Sequence, residues 1–223
     1  MTERELIVNA DDFGRSELTN AGIIRAFEDG IVTSASLMVG WPAAADAARY
    51  AREHHDLSVG LHFDLSEWTY RDDEWVVVYE AEAPPADELE RQLQRFRRLL
   101  DRDPTHLDSH QHVHREEPVA SLLADAAATL GVPLRERSRI PYLGDFYGQW
   151  GKGEPYPEGI TVDSLVSLIE RLPPGVTELG CHPGLDVELD SSYRFERLAE
   201  VLTLCDPLVA YAIDREQVRL RSF

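Results

Sequence analysis

The chain has 223 residues, with 22 basic against 41 acidic and a formal net charge of −19. That length suits one domain, expected over residues 1–223, with a full core of its own. The acidity disfavours nucleic acid, an anionic membrane or a polyphosphate as the main partner. No apolar run is long enough to cross a bilayer, and the N-terminal Met1-Thr2-Glu3-Arg4-Glu5 is charged where a signal peptide needs an apolar stretch, so a cytoplasmic location is expected. Cys181 and Cys205 form no CxxC pair and are read as reduced thiols.

Apolar β-branched runs alternate with amphipathic segments along the whole chain, the βαβα pattern of a parallel sheet. The first run, near 5–10, leads straight into Asp11 and Asp12, with Gly14 two residues on. Adjacent acids at the mouth of a buried strand repel unless a cation or a proton compensates. The plainer reading is a turn, with Asp12 capping the next helix. That helix is expected near 18–29, with Thr19 available to cap it, Ile23, Ile24 and Phe27 on one face, and Gly30 after its end. A strand near 31–39 and a helix near 43–54 follow, the latter ending in His54 and His55, read as solvated. The strand near 57–64 carries His62 towards its end.

A loop with Trp68, Tyr70 and Trp75 then contains Val76 to Tyr79, a short extra strand, before a helix near 86–101. The strand near 105–109 opens a His-rich segment holding His106, Asp108, His110, His112 and His114. A helix near 116–130, a strand near 132–137 and a second aromatic loop (Tyr142, Phe146, Tyr147, Trp150, Tyr156) come next. A helix near 161–172 precedes a strand near 176–181, which ends in Cys181-His182-Pro183-Gly184. The pattern closes with a helix near 192–204, after Ser191 and Ser192, and a strand near 207–213.

Strict alternation suggests a doubly wound sheet or a short, incomplete (β/α) barrel of about seven parallel strands. No G-x-G-x-x-G follows the first strand, which weakens a dinucleotide reading. The barrel is favoured because Asp11, Asp12, His62, Asp108, His110 and His182 all fall at C-terminal strand ends, which converge on one face. Along an extended chain Asp108, His110 and His112 would share a face, and a carboxylate with two imidazoles leaves metal positions open for water and substrate. His110 and His62 are therefore ligand candidates. His112 and His114 are read as supporting residues and His106 as a packed one. Pro183-Gly184 turns the chain after His182, which fits a general acid better than a fourth ligand. The loop aromatics Trp68, Tyr142, Tyr147 and Trp150 are candidates to face a sugar ring, with loop packing as the alternative.

The segments LIVNADDFGRS, GIVTSASLMV, VGLHFDL, THLDSHQHVH and ELGCHPG together resemble the carbohydrate deacetylases of the YdjC type, which include chitooligosaccharide deacetylases. The resemblance implies a barrel-like α/β fold, one divalent metal ion, and hydrolysis of the acetamide of an N-acetylated mono- or oligosaccharide. It makes Asp12, His62 and His110 the metal ligands, Asp11 the catalytic base and His182 the acid, and it places Arg135 near the site. Arg135 would orient Asp11, its other reading being a plain ion pair with Glu136. The donor set suits Zn²⁺, Co²⁺ or Ni²⁺, whereas the resemblance suggests Mg²⁺. The expected partner is a small N-acetylated sugar, with no nucleic acid and no membrane, and a homodimer stays open as the assembly. Segments 66–84 and 140–159 depart from the family pattern.

Four other readings compete with this one. A metal hydrolase of a cyclic amide or lactone would use the same residues. A phosphoesterase is disfavoured because no basic cluster flanks the motifs. A non-catalytic sugar-binding protein should lack one of the five key acids and histidines, and none is missing; acyl-enzyme chemistry lacks a G-x-S-x-G.

Overall fold

The computed structural model describes residues 3–71, 73–151, 153–186 and 191–223. In chain order the elements are β1 (Arg4–Phe13), α1 (Glu17–Glu28), β2 (Ser34–Leu37), α2 (Ala44–Glu53), β3 (Ser58–Phe63), β4 (Ser66–Arg71), β5 (Glu74–Glu80), α3 (Pro85–Leu100), β6 (Leu107–Ser109) and α4 (Val119–Leu130). There follow β7 (Tyr142–Leu143), β8 (Gln149–Trp150), β9 (Glu154–Pro155), α5 (Val162–Glu170), β10 (Gly175–Cys181), α6 (Phe195–Leu204), α7 (Pro207–Arg215) and β11 (Val218–Leu220).

Seven strands form one parallel sheet in the order β6-β3-β2-β1-β10-β7, with β11 added beside the start of β1. The terminal strands β6 and β7 do not pair with each other, so the barrel stays open. β1 lies at the centre, and every residue after Arg4 is buried. That is why Leu6-Ile7-Val8 reads as a continuous apolar run: the central strand of a curled parallel sheet is buried on both faces. The core joins β1, β2 and β3 to α1, α2, α3 and α5 through Val8, Ile23, Leu37, Ala47, Leu61, Phe96 and Leu165. β4 and β5 form an antiparallel hairpin outside the sheet, so the short strand expected at Val76 to Tyr79 is present as part of β5.

Several expected elements differ. The segment at 207–213 is helix α7, because Val209, Ala212 and Ile213 recur at helical spacing and Asp206 caps the start by accepting from the Leu208 amide at 2.8 Å. The last strand is instead the short β11. At 132–137 only Leu134 bridges β6, through Leu107, before the chain turns at Glu136 with φ 60°. α1 is capped by Ser16, whose Oγ accepts from the Thr19 amide at 3.0 Å, and Thr19 lies inside the helix. α6 starts at Phe195 without a side-chain cap, three residues past Ser192.

One contact ties the helices to the late His-Pro-Gly turn. A Cβ on Gly22 of α1 would lie 2.4 Å from the Gly184 Cα, backbone that cannot swing aside. Helix propensity alone would favour alanine at Gly22 by about 1 kcal/mol, but the clash should reverse the sign. Gly22→Ala should therefore lose about 1–2 kcal/mol in urea unfolding; a gain would show that the turn yields freely.

Candidate active site

The two acids reach one cavity because β1 bulges. Ala10 pairs with Ala35 and Phe13 with Leu37, so β1 carries one extra residue there, and Asp12 takes φ 67°. Neighbours on a flat strand point to opposite faces. The bulge turns both carboxylates into a cavity of about 330 Å³, which His62, His110, His182 and Tyr142 also line. The capping reading of Asp12 is thereby excluded, since Ser16 holds that role.

Asp12 Oδ1 faces His62 Nε2 at 3.4 Å and His110 Nδ1 at 3.1 Å. It is buried and lacks a donor in hydrogen-bond geometry, while Oδ2 is taken by the fully buried guanidinium of Arg197. Each imidazole gives its other nitrogen to a carboxylate: His62 Nδ1 to Asp108 at 2.7 Å, and His110 Nε2 to Glu67. This carboxylate–imidazole–ligand arrangement is what metal-binding histidines need to fix their tautomer. The three donor atoms lie within 4.8 Å of one another, so the Asp–His–His trio fits a divalent cation. In the protein alone burial pushes the His110 imidazole down, but the Asp12 and Glu67 carboxylates outweigh it and carry it up to about 9. A proton there answers the same electrostatic need as a metal ion.

The competing trio of Asp11, His62 and Asp108 is also compact. Its cation is already present: Arg135 donates to Asp11 Oδ2 at 2.7 Å, to Asp11 Oδ1 at 2.8 Å, and lies 2.8 Å from Asp108 Oδ2. A third acid, Glu178, accepts from Arg135 Nε at 2.7 Å. Burial raises Asp11, and the Arg135 guanidinium overrides it to hold the carboxyl below its usual range. Burial pushes Glu178 up to about 7 despite the same arginine. The alternative pairing of Arg135 with Glu136 does not occur; Glu136 binds Arg115 at 2.7 and 2.8 Å. His182 Nε2 lies 3.7 Å from Asp11 Oδ2, and burial lowers its imidazole to about 4.

The shared face expected of Asp108, His110 and His112 does not form. β6 ends at Ser109 and the chain enters a tight 3-10 turn in which Gln111 and His112 take φ 49° and 54°. Asp108 consequently supports His62 instead of joining His110. His112 lines the cavity beside Tyr142, with ring centroids 5.7 Å apart, and His114 binds Ser109 Oγ at 2.7 Å. His106 stacks on Phe223 and meets Ser36 Oγ at 3.0 Å, a packed residue as expected.

Of the aromatic candidates, Tyr142 and Tyr147 line the cavity. Tyr142 lies over Arg135 at 4.7 Å, and Tyr147 stacks on Tyr193 at 4.5 Å. Trp150 lines an adjoining cavity that shares Tyr142, Gly144 and Tyr147 with the first. Trp68 is on the β4–β5 hairpin and lines neither cavity, whereas Phe146, although buried, also lines the first. The expectation that no basic cluster lies near the motifs is also overturned, since Arg15, Arg115 and Arg197 line the same cavity. Arg15, Arg135 and Arg197 are each neutralised by buried acids, Arg15 by Glu67 at 2.9 Å.

Arg15, Glu67 and Arg197 escaped the sequence reading. Arg15 had a signal, three residues past Asp12, where it reaches 3.8 Å from Asp12 Oδ2. Arg197 sits in an ordinary amphipathic helix, and only the fold carries it 185 positions back to Asp12.

A family model described as YdjC-like protein matches residues 5–215. The chain belongs to the YdjC-like protein family. Among its relatives, a Geobacillus stearothermophilus protein named carbohydrate deacetylase is 37% identical over 99% of this chain and 97% of its own length. A Serratia marcescens chitooligosaccharide deacetylase is 34% identical over 99% and 98%. In fold, the chain matches an Enterococcus faecalis V583 crystal structure named for a provisional role in cellobiose-phosphate cleavage, with TM-score 0.79, 24% identity, and coverage of 99% and 98%.

Proposed function

We propose that this YdjC-like protein is a metal-dependent deacetylase that hydrolyses the acetamide of an N-acetylated mono- or oligosaccharide. The observation that carries the reading is Asp12 Oδ1, buried without a donor between one nitrogen each of His62 and His110. The deacetylase names of relatives that cover nearly the whole chain support the same chemistry.

Amide hydrolysis needs a nucleophile, help for the oxyanion and a proton for the departing amine. A divalent cation held by Asp12, His62 and His110 would polarise the acetyl carbonyl and acidify water. Asp11, beside that trio but bound to Arg135, takes the proton of the attacking water on a carboxylate oxygen. Arg135 is shared among three acids, so it keeps Asp11 ionised and oriented while leaving net negative charge to receive the proton. His182, its Nε2 facing Asp11 across 3.7 Å, is placed to carry a proton to the leaving nitrogen. It enters the cycle neutral, because burial lowers its imidazole, so the proton it delivers is the one Asp11 has taken from water. Tyr142 and Tyr147 present aromatic surface at the cavity wall for a sugar ring.

Acetate release from N-acetylglucosamine and N,N′-diacetylchitobiose should disappear on chelation and return with added divalent metal. Release that persists in chelator would overturn the metal mechanism. A cyclic amide or lactone hydrolysed in preference to both sugars would overturn the substrate class.

A further inference from the structure

The metal trio has two supporting carboxylates of different origin. Asp108 comes from β6, inside the sheet, where it pairs in register with His62 itself. Glu67 comes from β4, on a hairpin whose second strand is exposed along its whole length. Glu67 is nevertheless only 2% exposed. Its Oε2 accepts from His110 Nε2 and from Arg15 Nη1 at 3.1 Å, and Oε1 pairs with Arg15 Nη2 at 2.9 Å. The adjacent residue is tied down as well: the Trp68 amide donates to Gln111 Oε1 at 3.2 Å, and Gln111 Nε2 donates to the Trp68 carbonyl at 2.8 Å. Glu67 and Trp68 thus grip His110 and Gln111 as two successive pairs, at the point where β4 slips register against β5.

The consequence lies in which nitrogen each imidazole offers. His62 faces Asp12 with Nε2 and His110 faces it with Nδ1. A neutral imidazole ligates through one nitrogen only if the proton sits on the other. Asp108 places that proton on His62 Nδ1, and Glu67 is the only acid within ion-pair distance of His110 Nε2 among the described residues.

We infer that Glu67 is a positioning residue for the metal site: it holds the proton on His110 Nε2, frees Nδ1 to ligate, and thereby makes the β4–β5 hairpin part of the metal-binding apparatus. This rests on the proposal that Asp12, His62 and His110 hold the ion, and the test separates the two. Co²⁺ is titrated into chelator-stripped protein, followed by its visible absorption and by calorimetry, for the parent, His62→Ala, Glu67→Ala and Glu67→Gln. His62→Ala should abolish binding; parent-like binding would overturn the metal reading itself, and this inference with it.

Glu67→Ala should weaken Co²⁺ binding about 10–100-fold, as loss of an outer carboxylate does. Glu67→Gln should weaken it less, because the amide oxygen still accepts from His110 Nε2 but carries no charge. Melting of the metal-free proteins supplies the control that a purely structural role would move. A lowered melting temperature with Co²⁺ affinity equal to the parent's would overturn the inference. If Glu67→Ala does not fold, the isosteric Glu67→Gln decides: parent-like affinity and an unchanged Co²⁺ spectrum would reject it.

Discussion

Asp11→Asn should lower turnover by about 10²–10⁴-fold while the protein keeps its full complement of metal. Asp11 stands outside the Asp12–His62–His110 trio, and its two oxygens are committed to Arg135 at 2.7 and 2.8 Å and to Asn9 Nδ2 at 2.9 Å. An asparagine fills the same volume and still accepts from Arg135 through its oxygen, but it takes no proton from water. Arg135 would retain Asp108 and Glu178, so the buried guanidinium is not abandoned. Acetate release at saturating metal, together with metal content of the purified variant, checks the assignment. Near-full activity would remove Asp11 as the base, and lost metal would place it among the ligands.

Removing the other acid should do something different. Asp12→Ala should abolish metal binding and also cost about 3–5 kcal/mol in the metal-free protein, because it strands a buried cation. That cation is Arg197, which is 1% exposed and donates Nη2 to Asp12 Oδ2. His62→Ala should abolish binding with a smaller loss, since Asp108 keeps Arg135 and Ser36 as partners. The double variant Asp12→Ala/Arg197→Met should recover part of the Asp12→Ala loss. Urea unfolding in chelator measures all three. Equal stability of Asp12→Ala and the parent would show that the Arg197 pair contributes nothing net, and no recovery in the double variant would place the cost elsewhere.

These opposite expectations for two neighbouring carboxylates come from their different partners, and those partners were only partly legible beforehand. Asp11, Asp12, His62, His110 and His182 were readable because each falls at or just past the end of an expected strand, and parallel strands deliver their C-terminal ends to one face. Arg135 was placed by resemblance alone, and its three-acid cluster depends on a single bridge between Leu134 and Leu107. The last helix was misread because a short apolar run looks alike at either period; its Asp206-Pro207 start was the available signal. The common face of Asp108, His110 and His112 failed for a local reason: Gln111 and His112 turn left-handed, which strand alternation does not anticipate.

By itself the sequence determined the alternation of strands and helices and the placing of Asp11, Asp12, His62, His110 and His182 at strand ends. These follow from local patterning, apolar periodicity and residue chemistry, which act over a few positions. The tertiary structure alone decided which charges meet. It pairs Arg197 with Asp12, sets Arg135 against Asp11, Asp108 and Glu178, and brings Glu67 on a projecting hairpin to His110. Buried charges must find partners within a few ångströms, and the chain supplies those partners from elements far apart in sequence.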